Sequence, residues 1–371
     1  MTIKRAGGVV SIELFRTDVA GNRIEDLSDT FVSGSVSYRE DLGGGVPMTF
    51  DMTLIKGPRL SPLEDFVSPY LTIRYDDGTQ LGPVRLGVFL VTQPKVSVTQ
   101  RTSTQVYTCE DLTAVARDAV FTATWKIPTG TNIASAITAI LQDAGLVNVA
   151  MPDSTKVTGY NRAYPKGMTN LEAANKLCVA AGWWNVYSDV HGVIRTQPMR
   201  LLTNSTAALT ITDDDYINTI EHTPTQGQVG NVVVVRRERS DQPTLYAIRK
   251  NTDVDSPISI PNVGREILYT GAPIDAEDAE DQSDVDTLAD RLIEEARSYE
   301  RVVSLTIPPD MALIGKQHQV AMLDIKTDDG FDFYGRYWVR EWSCGLSAKD
   351  APLKLTLARL VRLGRGEDVS Q

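Results

Sequence analysis

Residues 169–198, TNLEAANKLCVAAGWWNVYSDVHGVIRTQP, place an amphipathic pattern directly before a cluster of aromatic residues. Thr169 and Glu172 have the spacing of a capping box, in which the two side chains satisfy backbone N–H groups at the start of a helix. The apolar residues that follow recur every three or four positions, and Gly182 stands where a left-handed C-terminal cap is expected. The sequence therefore predicts a helix over 169–182.

The aromatic residues after this helix predict a β-hairpin that closes on it. WWNVY and GVIRTQ are its arms, and SDVHG is its turn. Side chains alternate across a strand, so two faces are predicted: Trp184 and Val186 on one, and Trp183, Asn185 and Tyr187 on the other. One face is expected to pack on the helix, and the other to be half exposed or to meet a neighbouring domain. Trp183 and Tyr187 are therefore candidate subunit-interface residues.

Two further helices are predicted upstream of this hairpin. CEDLTAVARDAV, at 109–120, is typical of one short helix. TNIASAITAILQDAG, at 131–145, has Ile133, Ile137 and Ile140 on one face and Gly145 at the position of a C-terminal cap. Together with the helix and hairpin of 169–198, these segments predict a small α+β module over residues 111–203.

The segments on either side of this module are rich in predicted strands. Residues 1–110 contain β-rich runs separated by Gly, Pro and Asp, and FDMTL at 50–54 alternates as a half-buried strand does. Residues 204–371 show the same character, with one predicted helix at 283–301. The predicted fold class is α+β, mostly β, with two β-domains and the α+β module inserted between them.

The two β-rich regions have a similar layout. In each, a strand ending in DDG precedes a glycine, an aromatic strand, a polar segment and a final strand. The glycines are Gly87 and Gly335, and the final strands, at Val106 and Leu353, follow them by 19 and 18 residues. Two interpretations stay open: an internal duplication, or the chance similarity that β-proteins often show.

Composition sets limits on the class of protein. The chain has 371 residues, 42% of them hydrophobic, and a formal net charge of −11. Such a charge disfavours sequence-specific binding of nucleic acid. The apolar runs are too short for a membrane anchor, and no secretory signal is recognised. Three widely spaced cysteines predict neither disulfides nor a zinc site, as expected in a reducing cytoplasm.

Candidate catalytic residues are few. His191, His222 and His318 are isolated in the sequence, and ordinary surface positions are expected for them. The acidic runs at 213–215, 76–77 and 328–329 are typical of turns, since Asp and Gly tolerate positive φ. We expect no catalytic residue, no metal and no cofactor.

A basic run stands out in the acidic chain: Arg236, Arg237 and Arg239, followed by Arg249 and Lys250. Two interpretations stay open. The run is either a solvated strand end or a charge-complementary contact with another subunit, whose acidic segment at 275–286 is the suggested partner. On the second interpretation, Arg236, Arg237 and Arg239 are candidate subunit-interface residues.

The order of these parts resembles bacteriophage tail hub proteins, also called baseplate or tail-tip hubs, and is closest to those of long-tailed actinobacteriophages. The resemblance extends from LGVFLVTQP and VYTCEDLTAVARD, through the helix and hairpin of 169–198, to NVVVVRRER and VDTLADRLIEEARSYER. It implies two tail-tube-like β-barrel domains per chain, at 1–110 and 204–371. Three chains would then present six similar domains to a sixfold tube and a threefold face to a spike or fibre.

The expected function is accordingly that of a trimeric structural hub in the virion, assembled in the host bacterial cytoplasm. The implied partners are a distal tail or tail-tube protein, a tape-measure protein and a separate spike or fibre, because the sequence ends soon after the second β-domain. Two alternatives stay open. One is the hub of a contractile baseplate or phage-derived secretion particle. The other is a carbohydrate-binding or glycan-hydrolysing tail protein that uses Trp183, Trp184 and Tyr187.

Overall fold

A computed structural model gives the structure of the chain. It describes residues 8–40, 45–55, 57–75, 78–98, 103–198, 205–215, 220–225, 230–239, 242–276, 279, 281–296, 298–309, 313–314, 316–326, 332–347 and 352–362. Two of the acidic runs, 76–77 and 328–329, lie outside these residues. Gly43 and Gly44 of the run GGG at 43–45, for which the sequence predicts a loop, also lie outside them.

The described residues contain 22 strands and five α-helices. The strands are β1 Gly8–Thr17, β2 Arg23–Asp26, β3 Phe31–Arg39, β4 Met48–Ile55, β5 Phe66–Tyr75, β6 Gln80–Arg85, β7 Phe89–Val98, β8 Ser103–Asp111, β9 Trp125–Ile127, β10 Val149–Ala150, β11 Arg162–Tyr164, β12 Tyr187–Ser188, β13 Ile194–Arg195, β14 Leu209–Thr212, β15 Glu221–Thr225, β16 Val232–Arg239, β17 Gln242–Lys250, β18 Ile274–Asp275, β19 Ser298–Ile307, β20 Val320–Lys326, β21 Asp332–Ser347 and β22 Leu353–Arg362. The helices are α1 Thr113–Asp118, α2 Ile133–Asp143, α3 Asn170–Ala180, α4 Ile260–Val263 and α5 Gln282–Ala296.

One large sheet runs through both β-domains. Its main path is β15-β19-β22-β21-β3-β4-β8-β7-β5-β1-β2, and the step between the domains is the antiparallel pair β21 and β3. Strands of this sheet bury alternate residues, as β4 does with Phe50, Met52 and Leu54. The buried faces of both β-domains form one continuous hydrophobic core. The fold is therefore mostly β, with two barrel-like domains joined edge to edge.

The two β-domains repeat the same strand order. β3-β4-β8-β7-β5 in the first corresponds to β15-β19-β22-β21-β20 in the second, and all neighbours in both series are antiparallel. A bulge interrupts β7 at Thr92 and β21 at Arg340, five positions after Gly87 and Gly335 respectively. These bulges fix the alignment, and they make Lys354 the counterpart of Val106. In this register the spacing from the glycine is 19 residues in both domains, which removes the one-residue difference seen in the sequence.

The module between the β-domains has a core of its own, formed by α1, α2, α3 and the short strands β9–β13. The helix predicted at 109–120 is shorter than expected, because Cys109–Asp111 belong to β8 and α1 begins at Thr113. The other two helices of the module begin at side-chain caps. Thr169 Oγ1 accepts a hydrogen bond of 3.1 Å from Glu172 N at the start of α3, and Asn132 caps α2 through Ser135 N. The hairpin turn lies where the sequence predicted it, and it contains Gly192 at φ 77°, a conformation that favours glycine. A Cβ there would lie 2.9 Å from Val88 Cγ2, so the turn packs closely on the first β-domain.

A further unit lies inside the predicted second β-domain, in the connection between β15 and β19. Strands β17, β16 and β18 form a small sheet, and α5 packs on one face of it to give a third hydrophobic core. The sequence did not distinguish this unit from the barrel around it. The predicted helix 283–301 was also too long: α5 ends at Ala296, and Ser298 begins β19. The residues from Ser298 onward pair with β22, and this pairing overrides the helical pattern.

Candidate domain and subunit interfaces

The junction between the β-domains is a regular antiparallel ladder. β21 pairs with β3 from Glu341↔Arg39 to Ser347↔Ser33. Just beyond the end of β3, Glu40 N donates a 2.8 Å hydrogen bond to the carbonyl of Arg340. An exposed ion pair of 3.0 Å joins Arg39 Nε to Glu341 Oε1. The two domains are thus held in a fixed register.

A buried carboxylate lies at one end of this ladder. The side chain of Glu40 is 5% exposed, accepts a hydrogen bond from Arg340 Nη1 and lies 3.7 Å from His318 Nδ1. Burial opposes its ionisation, but the hydrogen bonding and charges of His318 and Arg340 outweigh burial and hold the pKa of Glu40 below its ordinary value. The junction therefore contains a charged group that both domains must satisfy together.

His318 is the centre of an aromatic cluster at this junction. Trp184 stacks on its ring at 4.6 Å between centroids, and Tyr187 and Tyr38 approach edge-on at 5.3 and 6.2 Å. The side chain of His318 is 6% exposed, and its backbone has φ 52°. The expectation of an ordinary surface histidine is therefore wrong for His318. The aromatic hairpin was the available signal, but its partner is distant in the sequence.

The predicted faces of the hairpin are also wrong. Trp183 and Val186 lie in the core of the module, whereas Trp184 and Tyr187 contact His318. Strict alternation fails because residues 184–186 are not in a strand. The side chain of Asn175, on α3, accepts the N–H of Val186 at 3.0 Å in place of a strand partner. Trp183 is 3% exposed within one chain and Trp184 9%.

The segment before β20 fastens the module to both β-domains. Gln317 is buried, and its Nε2 donates to the carbonyl of Ser188 in the hairpin at 2.9 Å and also contacts Met48 of β4. Trp342 Nε1, in β21, donates to the carbonyl of Lys316 at 2.9 Å. Residues of β4, β21 and the hairpin therefore meet at one short segment, which fixes the module over the junction.

Residues of the basic run lie in β16 and β17, and they make contacts mainly within the unit that these strands form with β18 and α5. Arg237 is 3% exposed and donates to the carbonyls of Ala279 at 3.2 Å and Pro243 at 3.3 Å. Arg249 pairs with two carboxylates of α5, those of Asp286 and Asp290. Asp286 of the acidic segment thus pairs with the basic run within one chain. A contact of this run with another subunit stays a prediction.

Two of the predicted interface arginines remain to be placed. Arg236 is partly exposed and has Glu238 as an ion-pair partner at 3.2 Å. The backbone of Arg239 pairs with Gln242, and its side chain is outside the described part of the structure.

The remaining candidates for chemistry occupy turns and strand ends. Asp213 accepts a hydrogen bond from Lys326 N, and Asp215 accepts two from Thr212, as expected of a turn. His191 is exposed in the hairpin turn, and His222 lies in β15. Among the described residues, no group of three or more His, Cys, Asp or Glu could hold a metal ion, and no helix is long and apolar enough to cross a membrane. The three cysteines are buried free thiols.

Two strands of the large sheet, β7 and β15, each have an edge that no described strand pairs. Val91 of β7 still exchanges backbone hydrogen bonds with Leu63 and Asp65. Beyond Val91, β7 has β8 as its one neighbour in the described sheet, and Gln93, Pro94 and Lys95 are exposed. β15 likewise has one neighbour there, β19. By the repeated strand order, β15 is the counterpart of β3 and β7 the counterpart of β21. The open edges of β7 and β15 therefore correspond by position to β21 and β3, the two strands whose pairing joins the domains within the chain.

No protein-family model and no curated protein matches the sequence. Solved structures do match. A tail protein from Neisseria meningitidis MC58 has a TM-score of 0.66 at 11% identity, over 95% of this chain and 97% of that one. The 43 kDa tail protein of prophage MuSo2 from Shewanella oneidensis has a TM-score of 0.62 at 12% identity, over 95% and 98%. The chain has the fold of these tail proteins.

The chain also matches a solved structure that is not named as a tail protein. A Francisella PdpA–VgrG complex in its lidded form matches with a TM-score of 0.53 at 8% identity, over 96% of this chain and 53% of that one. At such identities the similarity concerns the fold.

Proposed function

We propose that this chain is a structural tail protein that assembles as a homotrimeric hub and closes the distal end of a tail tube. In this role it joins the sixfold tube to a threefold tip, spike or fibre. The observation that supports the proposal most directly is the β3–β21 pairing, together with the two open edges that correspond to it.

The repeated strand order gives this pairing a consequence between chains. The contact of β3 with β21 can be repeated between β15 of one chain and β7 of the next, because these strands are equivalent by position. Three chains joined in this way present six β-domains around one axis, with contacts that alternate between covalently linked and separate partners. A heterologous contact of this kind forms a closed ring when its rotation is right.

The two ends of such a ring differ in symmetry. At one end the repeats carry comparable short connections, from β7 to β8 and from β21 to β22. At the other end, within the residues that the structure describes, β8 leads into the α+β module and the β15–β19 connection holds the α5 unit, whereas the counterpart connection from β3 to β4 is short. The first end suits a sixfold partner, and the second end repeats three times. This difference is what a symmetry adaptor requires.

The partners follow from these ends. We assign the distal tail or tail-tube protein to the end with the short connections, and a separate spike or fibre protein to the end with the inserted units. A tape-measure protein and then DNA would occupy the bore, and the net charge of −11 disfavours tight binding of passing DNA. The protein would be located at the tail tip of the virion after assembly in the host cytoplasm.

The candidate interface residues divide by burial. Arg236 keeps an interface role in the proposal, because its side chain is accessible. Trp183 and Arg237 lie in the cores of their own units, and Tyr187 packs on His318, so each acts by holding a domain in place.

Disulfide cross-linking in assembled tails tests the proposal. In the intrachain ladder, Arg39 and Glu341 face each other, and their counterparts are Thr225 and Gln93. The variant with Gln93→Cys and Thr225→Cys should give covalent dimers and trimers in particles, since facing pairs of this type bring Cα atoms within disulfide range. Arg39→Cys with Glu341→Cys is the matched control and should link only within a chain. Particles in which the control links but the first pair does not would refute the ring.

A second candidate keeps the fold and changes the machine, to the hub of a contractile baseplate or phage-derived secretion particle. The similarity to the Francisella PdpA–VgrG complex favours it as the runner-up. The genes that neighbour this one would distinguish the two candidates: sheath and baseplate genes would support the contractile machine.

The carbohydrate alternative loses the surface on which it depended. Sugar stacking requires aromatic rings exposed on a concave surface, whereas Trp183 and Trp184 are buried and Tyr187 packs against His318. We therefore propose a role that is not enzymatic. Glycan cleavage by the purified protein would contradict it.

A further inference from the structure

The open edges of β7 and β15 each carry a proline, and the repeated strand order brings the two prolines to the same place. In the intrachain ladder, Trp342 of β21 faces Tyr38 of β3. The bulges at Thr92 and Arg340 make Pro94 the counterpart of Trp342. In the first domain the register runs from β8 through β4 to β3, and in the second it runs from β22 through β19 to β15. Followed in this way, it makes Pro224 the counterpart of Tyr38.

The nitrogens of both prolines face outward. Pro94 lies opposite Tyr107 of β8, and Pro224 lies opposite Arg301 of β19. A proline fits a paired strand only where its nitrogen points away from the partner, since it has no N–H to donate. Each proline therefore directs its backbone toward the open edge, where the neighbouring chain would pair.

The place that they share is a hydrogen-bonding position. Glu40 N donates to the carbonyl of Arg340, so the next pair along, Glu341 with Arg39, exchanges no backbone bonds. The pair after it, Trp342 with Tyr38, then exchanges two, because antiparallel ladders alternate. In the corresponding contact between chains, Pro94 and Pro224 meet at this position, and neither can donate.

We propose that Pro94 and Pro224 form a break in the ladder between subunits, which keeps free chains apart and makes ring closure depend on the tail end on which the ring is built. The inference rests on the proposed trimeric hub, and the partner at this surface is a second copy of this chain. Exposed Lys95, next to Pro94, adds a charge of the kind that protects natural sheet edges from premature pairing.

Replacing both prolines tests the proposal. Threonine restores the N–H and suits a strand, so the variant with Pro94→Thr and Pro224→Thr regains both missing bonds. We expect the dissociation constant of self-association, measured by analytical ultracentrifugation of purified chains, to fall by about tenfold or more. Pro243→Thr is the matched control, since Pro243 is an exposed proline in β17, away from the ring contact. It should leave self-association unchanged.

The outcomes separate this inference from the hub itself. Wild-type chains that associate as tightly as the double variant would overturn the proline break, and so would equal tightening by Pro243→Thr. If Gln93→Cys with Thr225→Cys still cross-links in particles, the hub stands while the break fails. If that pair does not cross-link, the hub fails. Tightening into open polymers, with no trimer, would mean that the prolines guard against aggregation and would also overturn the proposal.

Discussion

The junction inside the chain and the open edges of β7 and β15 use the same strands of the repeat in opposite ways. Inside the chain, β3 and β21 form an unbroken ladder that buries Glu40 and is covered by the aromatic hairpin. The open edges are exposed at β7 and have prolines at the matching position. A contact made once during folding can be permanent, whereas the contact that we propose between chains would form only on assembly.

The largest effect is expected from breaking the internal junction at its buried charge. Arg340→Met leaves the carboxylate of Glu40 without its main partner, and we expect a loss of about 3 kcal/mol in the free energy of unfolding, measured with urea. Arg39→Met, in the same ladder, removes an exposed ion pair and should cost less than about 0.5 kcal/mol. Equal losses in both variants would show that the buried charge has no special role in the junction.

A second contrast concerns arginines that face inward and outward on one strand. Arg237→Met removes the hydrogen bonds that the buried guanidinium donates to two carbonyls and should cost about 2 kcal/mol. Arg236→Met should change stability by less than about 0.5 kcal/mol and act, if at all, on incorporation into particles. Thermal unfolding and particle assembly assays separate the two. If Arg236→Met destabilised the chain, Arg236 would stabilise its own unit and would no longer be a candidate for the subunit interface.

The smallest effect expected is a pH dependence of the junction. Because the pKa of Glu40 is lowered in the folded chain, its ionised form stabilises the fold above the ordinary value of 4.5. That contribution is lost as pH falls through the folded pKa. The stability difference between wild type and Glu40→Gln should therefore shrink on acidification from about pH 6 to about pH 3. A difference independent of pH would mean that Glu40 is not ionised in the junction.

Local patterns carried much of the fold. The capping box at Thr169, the periodicity of Ile133 to Ile140 and the glycine at 192 each act over a few residues, and the sequence was sufficient to predict their elements. The sequence also indicated the repeat, because the lengths of the strands set the spacing from Gly87 and Gly335 to the final strand of each β-domain. The register of the repeat could be assigned only from the bulges in β7 and β21, and amino-acid composition does not show where a bulge lies.

Contacts between distant residues were beyond the sequence. The sequence around His318 does not predict that Trp184 stacks on it, since the two side chains meet only after the module folds over the junction. The hairpin faces were mispredicted because Asn175 competes for a backbone N–H, which is a tertiary effect. The α5 unit was merged with the barrel because its strands have the same β-rich composition as those around it.

A cryo-microscopy map of the assembled tail tip tests the proposed ring of three chains and six β-domains most directly. We expect three copies of the chain, with β15 of each next to β7 of its neighbour and the α+β modules at every second β-domain. Six copies, a single copy, or three copies whose β7 and β15 edges do not meet would contradict it.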